Sequence, residues 1–306
     1  MTVFESIILG IIQGLTEFFP VSSSGHLVLG QDLLGIEIPG ILFDVLVHVG
    51  TLASVVIVYR DRLWRLTLGA FGRGEDGAWP YILKLGLATV PAGIAGLTMK
   101  DFFEARFDDP VFAATMILVT GCLVWSSRWA TGNKRLGPLE LLPLVIAAAL
   151  SLVGGTLVPF LAVLALQAVL MTVTRATAPK ERHPEPTWIG ALLMGIGQSL
   201  AILPGISRSG TTVITGLWRR IDPVAAAEFS FLMSIPAILG AAVLQVPDAL
   251  REPLPVTTPA LVFGFVAALI SGIVAIRFFI LLLKRQNFHL FAYYCWAAAG
   301  LFLIFR

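Results

Sequence analysis

The chain has 306 residues, of which 57% are hydrophobic and only 13% charged, and its mean hydropathy is +0.88. Ordinary soluble domains carry roughly 25% charged residues, so this composition excludes a soluble fold and reads as an all-α, multi-pass membrane protein. The net charge of +2 leaves no basic surplus for a nucleic-acid partner.

Residues 1–18 are apolar, with Glu5, Gln13 and Glu17 as interruptions. No basic residue precedes this run, which argues against a cleaved signal peptide. Pro20 ends the helix, because proline lacks an N–H and clashes with the preceding turn. A short segment over 23–35 follows. Neither piece makes a full span with its polar residues. Together they predict a re-entrant hairpin, which is tolerated only where it is buried in protein or lines a cavity. Helices are expected next over 41–59, 80–99 and 111–127. Two shorter apolar runs, 139–153 and 157–174, hinge at Gly154-Gly155. A second re-entrant hairpin is expected over 187–203 and 208–218, and three spans over 224–245, 259–283 and 288–305 close the chain. The stretches 110–127 and 253–276 carry no charge, and apolar runs of about 20 residues cross a bilayer. Cys122 and Cys295 lie in such helices and read as small core residues rather than a disulfide or metal pair.

The two hairpins carry related motifs. A shift of 185 residues lays Gln13 on Gln198, Ser22 on Ser207, Ser24 on Ser209 and Gly25 on Gly210. Lys/Arg placement supports the layout. With 60–78, 128–138, 175–186, 219–222 and 284–288 on the cytoplasmic side, those loops hold fourteen basic residues, against four on the other side. The bias requires both hairpins to re-enter and both termini to face outward. The repeats, 1–136 and 177–306, are then inverted, with 137–176 an apolar hairpin between them. Inverted repeats with broken helices place their site near the midplane. The two motifs should therefore meet in space.

Gln13 and Glu17 are spaced i, i+4 and share a helix face. A carboxylate in the membrane costs about 2.5–3.5 kcal/mol on insertion scales, so a partner is expected. Arg208 is the only arginine inside a motif. An ion pair that merely holds the hairpins together is the plainer alternative. Ser22 and Ser207 follow the proline breaks and can cap the helices behind them. Helix starts with unpaired N–H groups attract anions, and a guanidinium fits phosphate oxygens with its planar fork. Gly205 and Gly210 allow close backbone approach. Ser24 and Ser209 read equally well as small packing residues. Ser23 and His26 could form a nucleophile–base pair, with Glu17 orienting the imidazole or acting as base itself. Gln13, Glu17 and phosphate oxygens could share Mg²⁺ or Ca²⁺. Asp44 and His48, again i, i+4, and Glu228, near the same place in the second repeat, read as groups that support the site. Lys84 and Arg277 also fall within membrane segments.

At these residues the chain resembles the undecaprenyl-diphosphate phosphatase family of the membrane bacitracin-resistance type. Gln13 to Glu17 match its (E/Q)xxxE motif, Pro20 to His26 its PVSSxGH run, and Pro204 to Thr212 its PGxSRSxxT motif. The resemblance also takes in Phe43 to Thr51 and Ala227 to Phe231, and covers most of the chain outside about 137–176. It implies cation-dependent hydrolysis of undecaprenyl diphosphate to the monophosphate at the outer face of the bacterial cytoplasmic membrane, which recycles the carrier lipid for cell-wall synthesis. It implies metal or base roles for Glu17 and Gln13. Ser23 is the implied nucleophile, with His26 beside it and an activated water as the alternative. Ser207, Arg208, Ser209 and Thr212 would bind the diphosphate. Two departures stand out: the apolar insert, and Cys295, where relatives are expected to carry arginine. Oligomeric state, including a homodimer, is left open. Two other readings compete: a transporter or flippase of polyprenyl phosphate using the same site, and a structural scaffold, which leaves the Glu17, Arg208 and serine set without purpose.

Overall fold

The computed structural model describes residues 1–35, 42–73, 76–131, 138–249, 256–285 and 287–305. Lys134, Arg135, Arg251 and Arg306, which enter the charge count, and residue 137 at the start of the insert lie outside the described residues. The described residues form fifteen helices. The first half runs α1 (Val3–Phe18), α2 (Ser23–Leu34), α3 (Leu42–Val58), α4 (Arg60–Ala70), α5 (Ala78–Thr98), α6 (Lys100–Phe107), α7 (Pro110–Trp125) and α8 (Ser127–Thr131). α9 (Pro138–Val153) and α10 (Leu157–Ala176) follow. The second half runs α11 (Trp188–Leu200), α12 (Arg208–Trp218), α13 (Pro223–Ala249), α14 (Thr258–Lys284) and α15 (Leu290–Phe305). Five of these helical stretches are long and apolar enough to cross a membrane, or six if α3 and α4 count as one bent span. The chain is thus an all-helical polytopic membrane protein.

Two expected loops are helical. The loop predicted over 60–78 contains α4, which turns by 74° from α3. Its arginines suggest a loop by charge, yet Arg and Leu are good helix formers. Leu66 is buried beneath it while Trp64 and Arg65 face out, the composition of a helix lying at a membrane interface. The segment after α5 likewise contains α6, which buries Phe103. At the N-terminus Glu5 has a local purpose. Its carboxylate accepts from Thr2 N at 2.8 Å while Thr2 Oγ1 accepts from Glu5 N at 3.2 Å, a capping box that closes the start of α1.

The halves are laced together. α1 packs on α14, α11 on α5, and α7 on α15, while α14 also lies against α3 and α13 against α5. α7 is the axle: every residue from Phe112 to Trp125 is buried. The α1–α14 contact depends on small residues, as in other membrane helix pairs. A Cβ on Gly14 would collide with Ser271 Oγ and the Ala268 carbonyl, and one on Gly50 of α3 would lie 2.8 Å from the Phe265 carbonyl. Gly14→Ala is therefore expected to destabilise the protein by about 1–3 kcal/mol, the usual cost of overpacking. Gly30→Ala, where the nearest atoms would lie 3.6 Å away, should be neutral or slightly stabilising. Thermal unfolding of the two variants in detergent checks this, and equal stabilities would contradict the packing argument.

Candidate active site

Each hairpin bends at a break, and both breaks lie against α7 and each other. α1 ends at Phe18, and Ser22 caps α2 by accepting from Gly25 N at 3.3 Å. α11 ends at Leu200, and Ser207 caps α12 by accepting from Gly210 N at 3.0 Å. The cap hydroxyls are themselves paired alike, Ser22 with Ser24 at 3.3 Å and Ser207 with Ser209 at 3.2 Å. The breaks are tied by Ser209 Oγ, which donates to the Phe19 carbonyl at 3.0 Å. They also touch at glycines: a Cβ on Gly25 would lie 2.8 Å from Gly205 Cα. Gly205 has φ +95° and lies against the Ala113 backbone of α7, so only glycine fits there. Ser22 also has a positive φ, 74°, without being glycine. Backbone strain of this kind clusters at functional sites.

Glu17 is the centre of the arrangement. Its Oε1 accepts from Arg208 Nη2 at 2.8 Å. Its Oε2 accepts from Ser23 Oγ at 2.5 Å and from Gln13 Nε2 at 2.9 Å, and His48 Nε2 lies 3.9 Å away. The Glu17 and Arg208 side chains are only 7% and 15% exposed, so this is a buried, desolvated pair. Arg208 is held from its other side by the Ser230 carbonyl of α13, at 3.0 Å from Nη1. The guanidinium thus bridges the first hairpin to α13.

Ser23 and His26 do not pair with each other. Ser23 bonds to Glu17, the second of the two arrangements open to it, because the turn at Ser22 carries the start of α2 back beside the last turn of α1. His26 Nδ1 lies 2.7 Å from the Ser22 carbonyl and Nε2 3.0 Å from Tyr294 Oη of α15. Both ring nitrogens are therefore engaged away from Ser23. Thr212 is buried and bonds to its own helix and to Ser230 Oγ at 2.6 Å, which puts it behind Arg208. His48 stands closer to the centre than its expected supporting place, at the edge of Glu17. Asp44 accepts from Gln31 Nε2 at 3.4 Å and lies a helical turn away. Glu228 stands apart from the motifs in an ionic cluster: Arg62 reaches it at 2.9 Å and Glu185 at 3.2 Å, with the guanidinium 4.7 Å over the Tyr81 ring.

Three contributors received no role from the motifs, although Ser230 lies in the family-like stretch Ala227 to Phe231. Thr120 of α7 accepts from Ser207 N at 3.0 Å and donates to the Gly205 carbonyl at 2.8 Å, which staples the second break. Ser230 and Tyr294 are the others. Thr120 had a faint signal, as a hydroxyl in the uncharged stretch 110–127.

The donor set also bears on a cation. Gln13 must turn its amide NH₂ toward the carboxylate, since two acceptors would repel. That leaves Gln13 Oε1 buried and without a hydrogen-bond partner among the described residues. An orphaned buried oxygen beside a carboxylate suits a hard cation. Among the described residues no group of three or more His, Cys, Asp or Glu is arranged to hold a metal. The protein side of such a site would therefore be incomplete without ligand oxygens. Chemically, the assembly offers a hydroxyl polarised by a carboxylate, a fixed guanidinium and two helix N-termini in one small volume.

A family described as bacitracin resistance protein BacA matches residues 6–301. An undecaprenyl-diphosphatase of Alkaliphilus metalliredigens is 36% identical, over 100% of this chain and 99% of that protein. One from Desulfatibacillum aliphaticivorans is 33% identical over 98% and 97%, and one from Methanobrevibacter smithii 35% over 97% and 95%.

Proposed function

The chain belongs to the bacitracin resistance protein BacA family, and on that premise we propose that it hydrolyses undecaprenyl diphosphate to undecaprenyl phosphate and inorganic phosphate. The observation that carries the reading is Glu17 bonded at once to Ser23 and Arg208 where the two hairpins meet. A phosphate anion needs positive ends, and the N-termini of α2 and α12 with Arg208 supply them. Relatives are named for hydrolysis, and nothing in the geometry favours the transport reading over it.

Ser23 is the nucleophile in this reading. Its oxygen attacks the terminal phosphorus and its proton passes to Glu17. The bond from that phosphorus to the bridging oxygen breaks, and the lipid monophosphate leaves with the bridging oxygen. Water then hydrolyses the phosphoserine. Short O–H···O⁻ contacts of 2.5–2.7 Å are typical of a hydroxyl bonded to an ionised carboxylate. Arg208 neutralises charge on the non-bridging oxygens. Gln13 Oε1 and Glu17 would hold Mg²⁺ or Ca²⁺ together with substrate oxygens, and such an ion supplies further charge neutralisation.

The same reading takes residues 1–136 and 177–306 as inverted repeats with re-entrant hairpins. The exchange of partners, α1 with α14 and α11 with α5, supports it. The Lys/Arg bias supports access from outside the cytoplasm and outward termini. Phosphate release from undecaprenyl diphosphate by the purified protein tests the function. Release with added Mg²⁺ or Ca²⁺ is expected, with a fall of at least tenfold in chelator. No release under any condition would sink the hydrolase reading, and full activity in chelator would remove the cation.

A further inference from the structure

α15 meets the first hairpin along one face. Phe291 lies against Phe19 with ring centroids 5.2 Å apart, and Cys295 Sγ lies 3.7 Å from the Pro20 carbonyl. Between them Tyr294 lies against His26. The two rings are within 12° of parallel, with centroids 5.5 Å apart. The backbone of α2 packs on α1 and α7, and the His26–Tyr294 pair reaches across from it to α15.

The hydrogen bonds fix the state of this pair. The Ser22 carbonyl can only accept, so a neutral His26 carries its proton on Nδ1. Nε2 then accepts from the Tyr294 hydroxyl. Tyr294 is 49% exposed and shares an outward face of α15 with Leu290, Leu301 and Phe305. One end of this side chain therefore touches a polar site while its ring lies on an apolar surface, the amphipathic placement typical of tyrosine.

A lipid diphosphate held at Ser23, Glu17 and Arg208 must connect to a chain that stays in hydrocarbon. We propose that the chain leaves the site over the Tyr294 ring, between α2 and α15. This rests on the diphosphatase reading. Tyr294 is then a specificity residue for the prenyl chain.

The test compares undecaprenyl diphosphate with isopentenyl diphosphate on the purified full chain. Tyr294→Ala is expected to raise KM for the long substrate about tenfold, the scale of losing a buried aromatic contact. KM for the short substrate should stay within about twofold. Tyr294→Phe keeps the ring, so KM and kcat should stay within about twofold on both substrates. Tyr293→Ala, whose ring faces Trp125 and Trp296, should leave the long-to-short ratio unchanged. Equal KM changes on both substrates in Tyr294→Ala, or none on either, overturn the proposal. Wild-type protein that hydrolyses neither substrate overturns the diphosphatase reading instead. The chain path is then read by binding of the methylene-bridged, non-hydrolysable analogues. Their affinities should diverge by the same tenfold in Tyr294→Ala, and affinities that move together overturn the path.

Discussion

Glu17→Gln is expected to lower kcat about a thousandfold, the middle of the range for losing a general base. The carboxylate accepts from Ser23, Gln13 and Arg208 together. An amide in its place presents an NH₂ to at least one of these donors and cannot take the serine proton. It also leaves Arg208 without its counter-charge in a buried setting, and breaking such a pair costs about 3–5 kcal/mol. Lost activity must therefore be separated from lost fold. Thermal unfolding of the variant, together with binding of a non-hydrolysable diphosphate, makes that separation. Glu17→Asp keeps the charge on a stem shorter by one methylene, and should retain part of the activity. A Glu17→Gln protein with more than a tenth of wild-type kcat would rule out Glu17 as the base.

Arg208→Ala should reduce kcat/KM by about a hundred- to a thousandfold, as removal of a single preorganised donor to a developing anion does elsewhere. The guanidinium reaches Glu17 with Nη2 and the Ser230 carbonyl with Nη1. Lysine has one nitrogen and no fork, so Arg208→Lys should recover only part of the loss. The pair is coupled, and the double variant Glu17→Gln, Arg208→Ala should be far less impaired than the product of the single effects. Steady-state kinetics on the four proteins reads this directly. Strictly multiplicative effects would mean that the two side chains act on different steps.

The Glu17–Arg208 pair was legible in the sequence because a membrane carboxylate demands a cation and a single motif arginine was on offer. The caps at Ser22 and Ser207 were equally legible, since a proline break followed by serine and glycine has few other solutions. The choice of Glu17 over His26 as the partner of Ser23 was not. It depends on the positive φ of Ser22, which spacing alone does not reveal. Nor was the isolation of Glu228 legible, because its partner Arg62 lies 166 residues away on a helix that charge disguised as a loop. Thr120 and Tyr294 are common residues in apolar helices, and only packing gives them a purpose; Ser230 lay in a family-like stretch, but its bond to Arg208 did not show there.

The lacing of the first helices to the last has a consequence for biosynthesis. α1 is made long before α14, so its glycine-lined face waits for that partner. Glu17 waits for an arginine 191 residues downstream. At about 5–20 residues per second, that interval is roughly 10–40 s. Throughout it the nascent chain holds a carboxylate in the bilayer with no permanent counter-ion, protonated or drawn to the surface. The final locking of the site is therefore a late event in the life of each molecule. A ribosome that stalls before residue 208 leaves behind an inserted chain with half a site.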